Sequence, residues 1–181
     1  VVYGAGFDSE SKRLSHWSTD RVPMESLRKS KYVESDTGWS FTEVKEHLSS
    51  DRPVLYSGTP CQVDGLYAFL EGRYDELLFS LDFICHGVPS RRLLQDRIDR
   101  AEKKAGSKLN SIDFRPKTHG WFRHSLKMTF ENGRTIDTPL RIEPYIRFFM
   151  ENLSLRRPCY HCSYTHRHFA DLTLADFWGI N

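Results

Sequence analysis

The sequence predicts an α/β domain: a mixed, partly parallel sheet with flanking helices and a β-hairpin. Two patterns carry that expectation. Between Pro53 and Gly87 a short apolar run (54–57), a helix-period segment (62–70) and a second apolar run (77–84) follow one another. That is the order of a strand–helix–strand unit, and strands joined by such a crossover run parallel. Farther on, 126–130 and 135–138 flank Asn132-Gly133, the signal of an antiparallel hairpin. At 181 residues a single domain with a sizeable core is the expectation.

Taken in order, 1–7 reads as a strand bent at Gly4 and Gly6, with 14–17 as its hairpin partner. The stretch Arg28-Lys29-Ser30-Lys31-Tyr32-Val33-Glu34-Ser35 mixes cations, hydroxyls and an aromatic ring. It suits phosphate and ring contacts, and equally a solvated loop. Ser40 and Glu43 have capping-box spacing, and Val44 and Leu48 give the helix that follows one apolar face. After the strand opened by Pro53 comes Gly58-Thr59-Pro60-Cys61. Thr59 can cap the next helix and Pro60 suits its first position. Cys61 then lies in the first turn, where free N–H groups and the helix dipole favour a thiolate; a small cysteine packed under the helix is the plainer alternative.

The second strand ends in Cys85-His86-Gly87, and Pro89-Ser90 opens a long helix over 91–105 with Leu93, Leu94, Ile98 and Ala101 as its buried stripe. His86 could be a ligand, a proton carrier or a satisfied polar group. A strand over 109–114 precedes Arg115-Pro116-Lys117 and Gly120-Trp121. Two cations, a glycine and an indole there fit a phosphate and a flat ring, or a surface loop with a packed tryptophan. The helix over 144–153 is expected to bury Tyr145, Phe148 and Phe149. A last strand spans 171–178, with Asp176 as either a cofactor contact or an ordinary strand-end carboxylate.

Four cysteines stand out: Cys61, Cys85, Cys159 and Cys162. Two of them follow parallel strands, so both reach the carboxyl edge of the sheet, where open parallel sheets bind ligands. Cys159 and Cys162 have the two-residue spacing that lets both sulfurs reach one metal or cluster, and that also fits a redox disulfide or half a zinc site. With His161, His166 and His168 in the same loop, a mixed Cys/His zinc site stays open. No export signal is visible, so a metal or redox role in the cytoplasm is expected over structural disulfides. The chain opens inside a strand and reads as a piece of a longer protein. A net charge of +2 points to no nucleic-acid partner, and no apolar run reaches membrane-spanning length. Neither a Walker loop nor Gly-x-Gly-x-x-Gly is present.

Several motifs stand in a specific order: Ser30-Lys31-Tyr32-Val33-Glu34-Ser35, Gly58-Thr59-Pro60-Cys61-Gln62-Val63, Cys85-His86-Gly87-Val88-Pro89-Ser90, Phe114-Arg115-Pro116-Lys117, Gly120-Trp121, Arg157-Pro158-Cys159-Tyr160-His161-Cys162 and Asp176-Phe177-Trp178-Gly179. In this set and order the chain resembles the C-terminal domain of coenzyme F420 hydrogenase/dehydrogenase beta subunits over nearly all its length. The resemblance implies an iron–sulfur flavoprotein oxidoreductase. Hydride would pass between a deazaflavin substrate and FAD, and single electrons between FAD and a 4Fe–4S cluster. Cys61, Cys85, Cys159 and Cys162 would be the cluster ligands. Ser30, Lys31, Tyr32, Ser35, Gly58, Thr59, Pro60, Arg115, Lys117 and Trp121 would face the flavin. A redox partner protein or ferredoxin-like module would complete the electron path. Two motifs depart from the family pattern: the segment before Lys31, where a glycine is usual and this chain has Lys29-Ser30, and the last motif, where Ala175 stands in place of a glycine before Asp176. The reading of another class is a structural zinc domain of an interaction protein, using the same cysteines; a third is a binding module that has lost its cofactors.

Overall fold

The computed structural model describes residues 1–73, 76–117, 120 and 124–176. Its larger sheet has six strands: β1 (Val2–Asp8), β2 (Arg13–Ser18), β3 (Ser35–Asp36), β4 (Val54–Ser57), β5 (Leu78–Phe83) and β9 (Leu172–Leu174), in the order β3-β2-β1-β4-β5-β9. β1 and β2 form the expected antiparallel hairpin, with Gly4 opposite Trp17. From β1 outward through β4, β5 and β9 every pairing is parallel. The second sheet is antiparallel and three-stranded: β6 (Leu109–Asp113), β7 (Ser125–Phe130) and β8 (Thr135–Pro139). The β7–β8 turn is closed where the Gly133 N–H donates to the Phe130 carbonyl at 2.9 Å.

The helices follow from apolar spacing. A short α1 (Met24–Leu27) precedes α2 (Ser40–Ser49), which buries Val44 and Leu48. α3 (Pro60–Leu70) buries Val63, Leu66 and Leu70. These side chains meet Tyr3, Val54, Tyr56 and Leu78 of the large sheet in one core. α4 (Arg91–Ala105) and α5 (Pro144–Met150) build a second core with the small sheet, centred on Leu94, Ile98, Phe114, Leu126, Met128, Phe130 and Tyr145. Apolar burial at roughly 25 cal/mol per Å² drives both cores. A buried ion pair ties α4 to α5: Arg97 Nε donates to Glu143 Oε1 at 2.7 Å, and Glu143 is fully buried.

Three local expectations change. Ser40 does not cap α2; Trp39 holds the cap position, Ser40 is buried inside the first turn, and Glu43 turns outward to Arg21 at 2.5 Å. Phe148 is 43% exposed: Tyr145, Ile146 and Phe149 share the buried face of α5, and a residue three after Tyr145 but two after Ile146 rotates off it. The last strand is shorter, Leu172–Leu174: residues 171, 175 and 176 of its expected span are not strand, and 177–178 lie outside the described residues. Among the described residues no helix is long and apolar enough to cross a membrane.

A candidate four-cysteine centre

The turn after β4 is held open for chemistry by small residues and by a cap. Thr59 is the N-cap of α3 with Pro60 in its first turn, and the Thr59 N–H donates to Gln62 Oε1 at 3.0 Å, the return arm of a capping box. Gly58 is buried, and a Cβ there would meet Tyr56 Cε1 at 3.1 Å and Gln62 Cβ at 3.2 Å. The cap sets Cys61 exposed at the start of the helix, with its sulfur 3.1 Å from Thr59 Oγ1.

Parallel pairing of β4 with β5 brings Cys85 to the same edge. Its thiol is half-buried, and burial pushes it up to about 11, with the nearby Gly87 N–H opposing that shift. The same thiol lies within electrostatic range of Cys61, Cys159 and Cys162. Four positions spread over a hundred residues of sequence thus gather around the ends of two adjacent strands.

The late loop returns to this edge for a traceable reason. The backbone after α5 pairs with the segment after Cys85: Pro89 bridges Leu155, the Ser90 N–H donates to Ser154 O at 2.9 Å, and the Arg156 N–H to Val88 O at 3.0 Å. Cys159 follows in a 3-10 turn (Arg157–His161). Gly87 makes room for it at φ +125°, where a Cβ would touch both methyls of Leu155 at 3.2 Å and Cys159 Cβ at 3.3 Å. Beyond Cys162 a second 3-10 turn (Ser163–Thr165) carries Tyr164, whose hydroxyl donates to Asp64 Oδ2 at 2.5 Å. Asp64 stands three residues after Cys61 on α3, so this bond pins the Cys162 side of the loop to the Cys61 side. Both thiols lie close enough to Tyr164 to join Asp64 in raising its hydroxyl to about 12.

Two further anchors finish the loop. His168 Nδ1 lies 2.9 Å from Asp82 Oδ2, a carboxylate on β5 with no exposed surface. Asp171 accepts from the Ser80 N–H at 2.7 Å and from its hydroxyl at 2.9 Å. These ties place β9 beside β5. Among the described residues no three His, Cys, Asp or Glu side chains are placed to hold a single metal ion, and all four cysteines are free thiols.

The remaining sequence-picked residues fall into two groups. Ser35, Gly58, Thr59 and Pro60 are brought together: Gln62 Nε2 donates to Ser35 O at 3.1 Å while its Oε1 holds Thr59. Lys31, Tyr32 and Arg115 form the second group. The Tyr32 hydroxyl lies within hydrogen-bonding range of Arg115, and Arg115 Nη1 reaches Asp176 Oδ2 at 2.7 Å. Lys31 turns its ammonium back onto Arg28 O at 2.5 Å, and burial lowers it to about 8. Ser30 and Lys117 are exposed, and Trp121 lies outside the described residues.

His16 is a residue that sequence reading passes over. It is buried on β2, stacked on Tyr56 with ring centroids 5.1 Å apart, and bridges Ser57 O at 3.0 Å to Ser35 Oγ at 2.7 Å. Asp64, Asp82 and Gln62 are equally unmarked. A carboxylate at an inward position of a strand is a readable signal for Asp82, since Leu78, Ser80 and Asp82 share the buried face. Nothing in the sequence marks His16.

The fold and the gathered thiols together define a class: an α/β domain whose parallel edge collects four cysteines from three separate segments. The family model for the C terminus of the coenzyme F420 hydrogenase/dehydrogenase beta subunit matches residues 51–180, and the chain belongs to that family. No curated protein matches it. Among solved structures it is similar to a chain of the xenon-derivatised F420-reducing [NiFe] hydrogenase complex from Methanosarcina barkeri. The identity is 18% and the TM-score 0.51, over 89% of this chain and 52% of that one. That likeness is one of fold, and the chain spans about half the length of the chain it matches.

Proposed function

We propose that this chain is the cofactor-carrying part of an iron–sulfur flavoprotein oxidoreductase subunit. In this reading Cys61, Cys85, Cys159 and Cys162 hold a 4Fe–4S cluster, FAD lies along the Lys31–Tyr32–Arg115 and Ser35–Gly58–Thr59–Pro60 groups, and a deazaflavin is the hydride donor or acceptor. The observation that carries it is the gathering of four cysteines at the carboxyl edge of β4 and β5, with Cys159 packed against Gly87 and the Cys162 loop tied through Tyr164 to Asp64 on the helix of Cys61. Four thiols on one edge match the ligand complement of a cubane, in which each iron takes its own cysteine. A tetrahedral zinc takes four thiolates as well, and metal analysis separates the two.

Bound FAD would exchange two electrons as hydride and the cluster one at a time. The protein's part is placement and tuning. The Gly87 N–H and the Thr59 hydroxyl lie against the sulfurs of Cys85 and Cys61, and such hydrogen bonds set a cluster's potential. Tyr164 and Asp64 keep the two exposed thiols in register. Free cysteines at such a site belong in a reducing compartment, so this reading assigns the protein to the cytoplasm.

The test is metal, sulfide and flavin analysis of the full-length protein prepared without oxygen. Broad visible absorbance bleached by dithionite is expected, with flavin released on denaturation. Cys61→Ser and Cys159→Ser should each abolish the cluster absorbance. Unchanged iron content in both variants rejects the ligand set, and a colourless protein with stoichiometric zinc replaces the redox reading with a structural metal site.

A further inference from the structure

An open cleft of about 480 Å³ lies beside the cysteine loop, between the start of α4 and the strand-like segment that leads to Cys159. Four guanidinium groups line it, those of Arg91, Arg92, Arg156 and Arg157, against a single carboxylate, Glu34. Glu34 is committed: Arg91 Nε is 3.1 Å from its Oε2 and Arg156 bonds its Oε1. Arg91 also reaches Asp36 at 3.5 Å. Arg92 and Arg157 have neither an ion pair nor a side-chain hydrogen bond among the described residues. The cleft opens at the N-terminus of a 15-residue helix with no acidic residue in its first turn, so the helix dipole adds to the positive field. Ion pairs account for Arg91 and Arg156, but among the described residues no such pair accounts for Arg92 and Arg157 beside them, where like charges repel.

Exposed apolar side chains stand on the same stretch of chain as Arg156 and Arg157: Met150 is 62%, Leu153 65% and Tyr160 48% accessible. Arginine, methionine and tyrosine are the residues enriched at protein interfaces. Pro158, on the cleft wall, is the immediate neighbour of Cys159.

We propose that this cleft is the docking surface for an acidic electron-transfer protein. The partner's carboxylates meet Arg92 and Arg157 while its apolar contacts rest on Met150, Leu153 and Tyr160, which sets its redox centre against the cysteine loop. The proposal rests on the redox reading above for its purpose, though not for its chemistry. The open shape and the exposed apolar side chains close by in the chain favour a protein face over a small oxyanion, and the charge sets the sign of that face.

The test uses full-length protein and a dye-labelled acidic bacterial-type ferredoxin, titrated by fluorescence anisotropy at about 20 mM and about 200 mM salt, which spans weak to strong screening. Saturable binding at low salt is expected, weakening about tenfold at high salt. Arg92→Glu with Arg157→Glu should lower affinity by about tenfold or more and flatten the salt dependence, with iron content and thermal midpoint unchanged. Lys103→Glu with Lys104→Glu, which alters net charge equally at the far end of α4, should bind almost as wild type. Equal loss in both double variants, no loss in the arginine pair, or no wild-type binding overturns the proposal. So does saturable capture of inorganic pyrophosphate by the cleft without ferredoxin binding. Because the readout is association, binding that persists in a preparation without cluster or flavin leaves the docking surface standing while the redox reading falls.

Discussion

Gly87→Ala is the sharpest probe of how the late loop reaches the sheet edge. The residue sits at φ +125°, a region that an L side chain enters at a cost of about 1–3 kcal/mol. An added Cβ would also stand 3.2 Å from both Leu155 methyls and 3.3 Å from Cys159 Cβ. Leu155 has little room to retreat, because its backbone bridges Pro89 and its neighbour Arg156 bonds Val88. Strain plus overpacking gives a loss of roughly 2–4 kcal/mol. At a slope of about 2 kcal/mol per M, the urea midpoint falls by about 1–2 M. Gly38→Ala is the matched control: its φ is +49° and nothing lies within 4 Å of an added Cβ, so it carries only the backbone cost of about 1 kcal/mol. Urea titration by far-UV circular dichroism reads stability, and thiol-labelling rates followed by mass spectrometry read the position of Cys159. If Gly87→Ala matches the control in midpoint and leaves Cys159 labelling unchanged, the close approach of the two segments is wrong.

Two other perturbations address the backbone and the buried polar network. Burial lowers His16 to about 4, against the opposing pull of Ser57 O, so between that value and its ordinary value near 6.5 the unfolded chain binds the extra proton. Stability from this group is therefore whole above about pH 6.5 and is lost as pH falls through about 4, a change of about 3 kcal/mol at 1.36 kcal/mol per unit. His16→Gln should flatten that part of the pH–stability curve, and a slope identical to wild type contradicts a neutral buried imidazole. Lys29 takes φ +73° and bonds Asp113 at 2.6 Å. Lys29→Gly and Lys29→Ala both lose that exposed contact, so their difference isolates the backbone; the glycine variant should be the more stable by about 1 kcal/mol in urea titration, and equal midpoints refute the left-handed conformation.

The parallel unit is legible in the sequence because its signals are local and agree with one another. Apolar runs of strand length, an α-helix period between them, and Thr59-Pro60 at the helix start all specify the same structure. That consistency carries Cys61 and Cys85 to one edge without knowledge of any contact. The hairpin is legible for the same reason, through Asn132-Gly133. Phe148 is not, because aromatic content in a helix does not say which face is buried, and the seven residues of α5 make barely two turns, too few for the apolar spacing to single out one face.

The return of Cys159 and Cys162 has a different standing. No local pattern specifies that 154–156 pairs with 88–90, that Tyr164 finds Asp64, or that His168 finds Asp82. These are bonds between segments about 65 to 100 positions apart, and each tie rests on one or two polar contacts that no local pattern marks. Their effect is cumulative. One tie aligns the entry to the loop, one pins its middle to α3, and one fastens its exit to β5, so the thiols between them have little freedom left. A centre of this kind is built by its anchors as much as by its ligands: Tyr164→Phe removes no sulfur, yet it releases the constraint that keeps Cys162 beside Cys61.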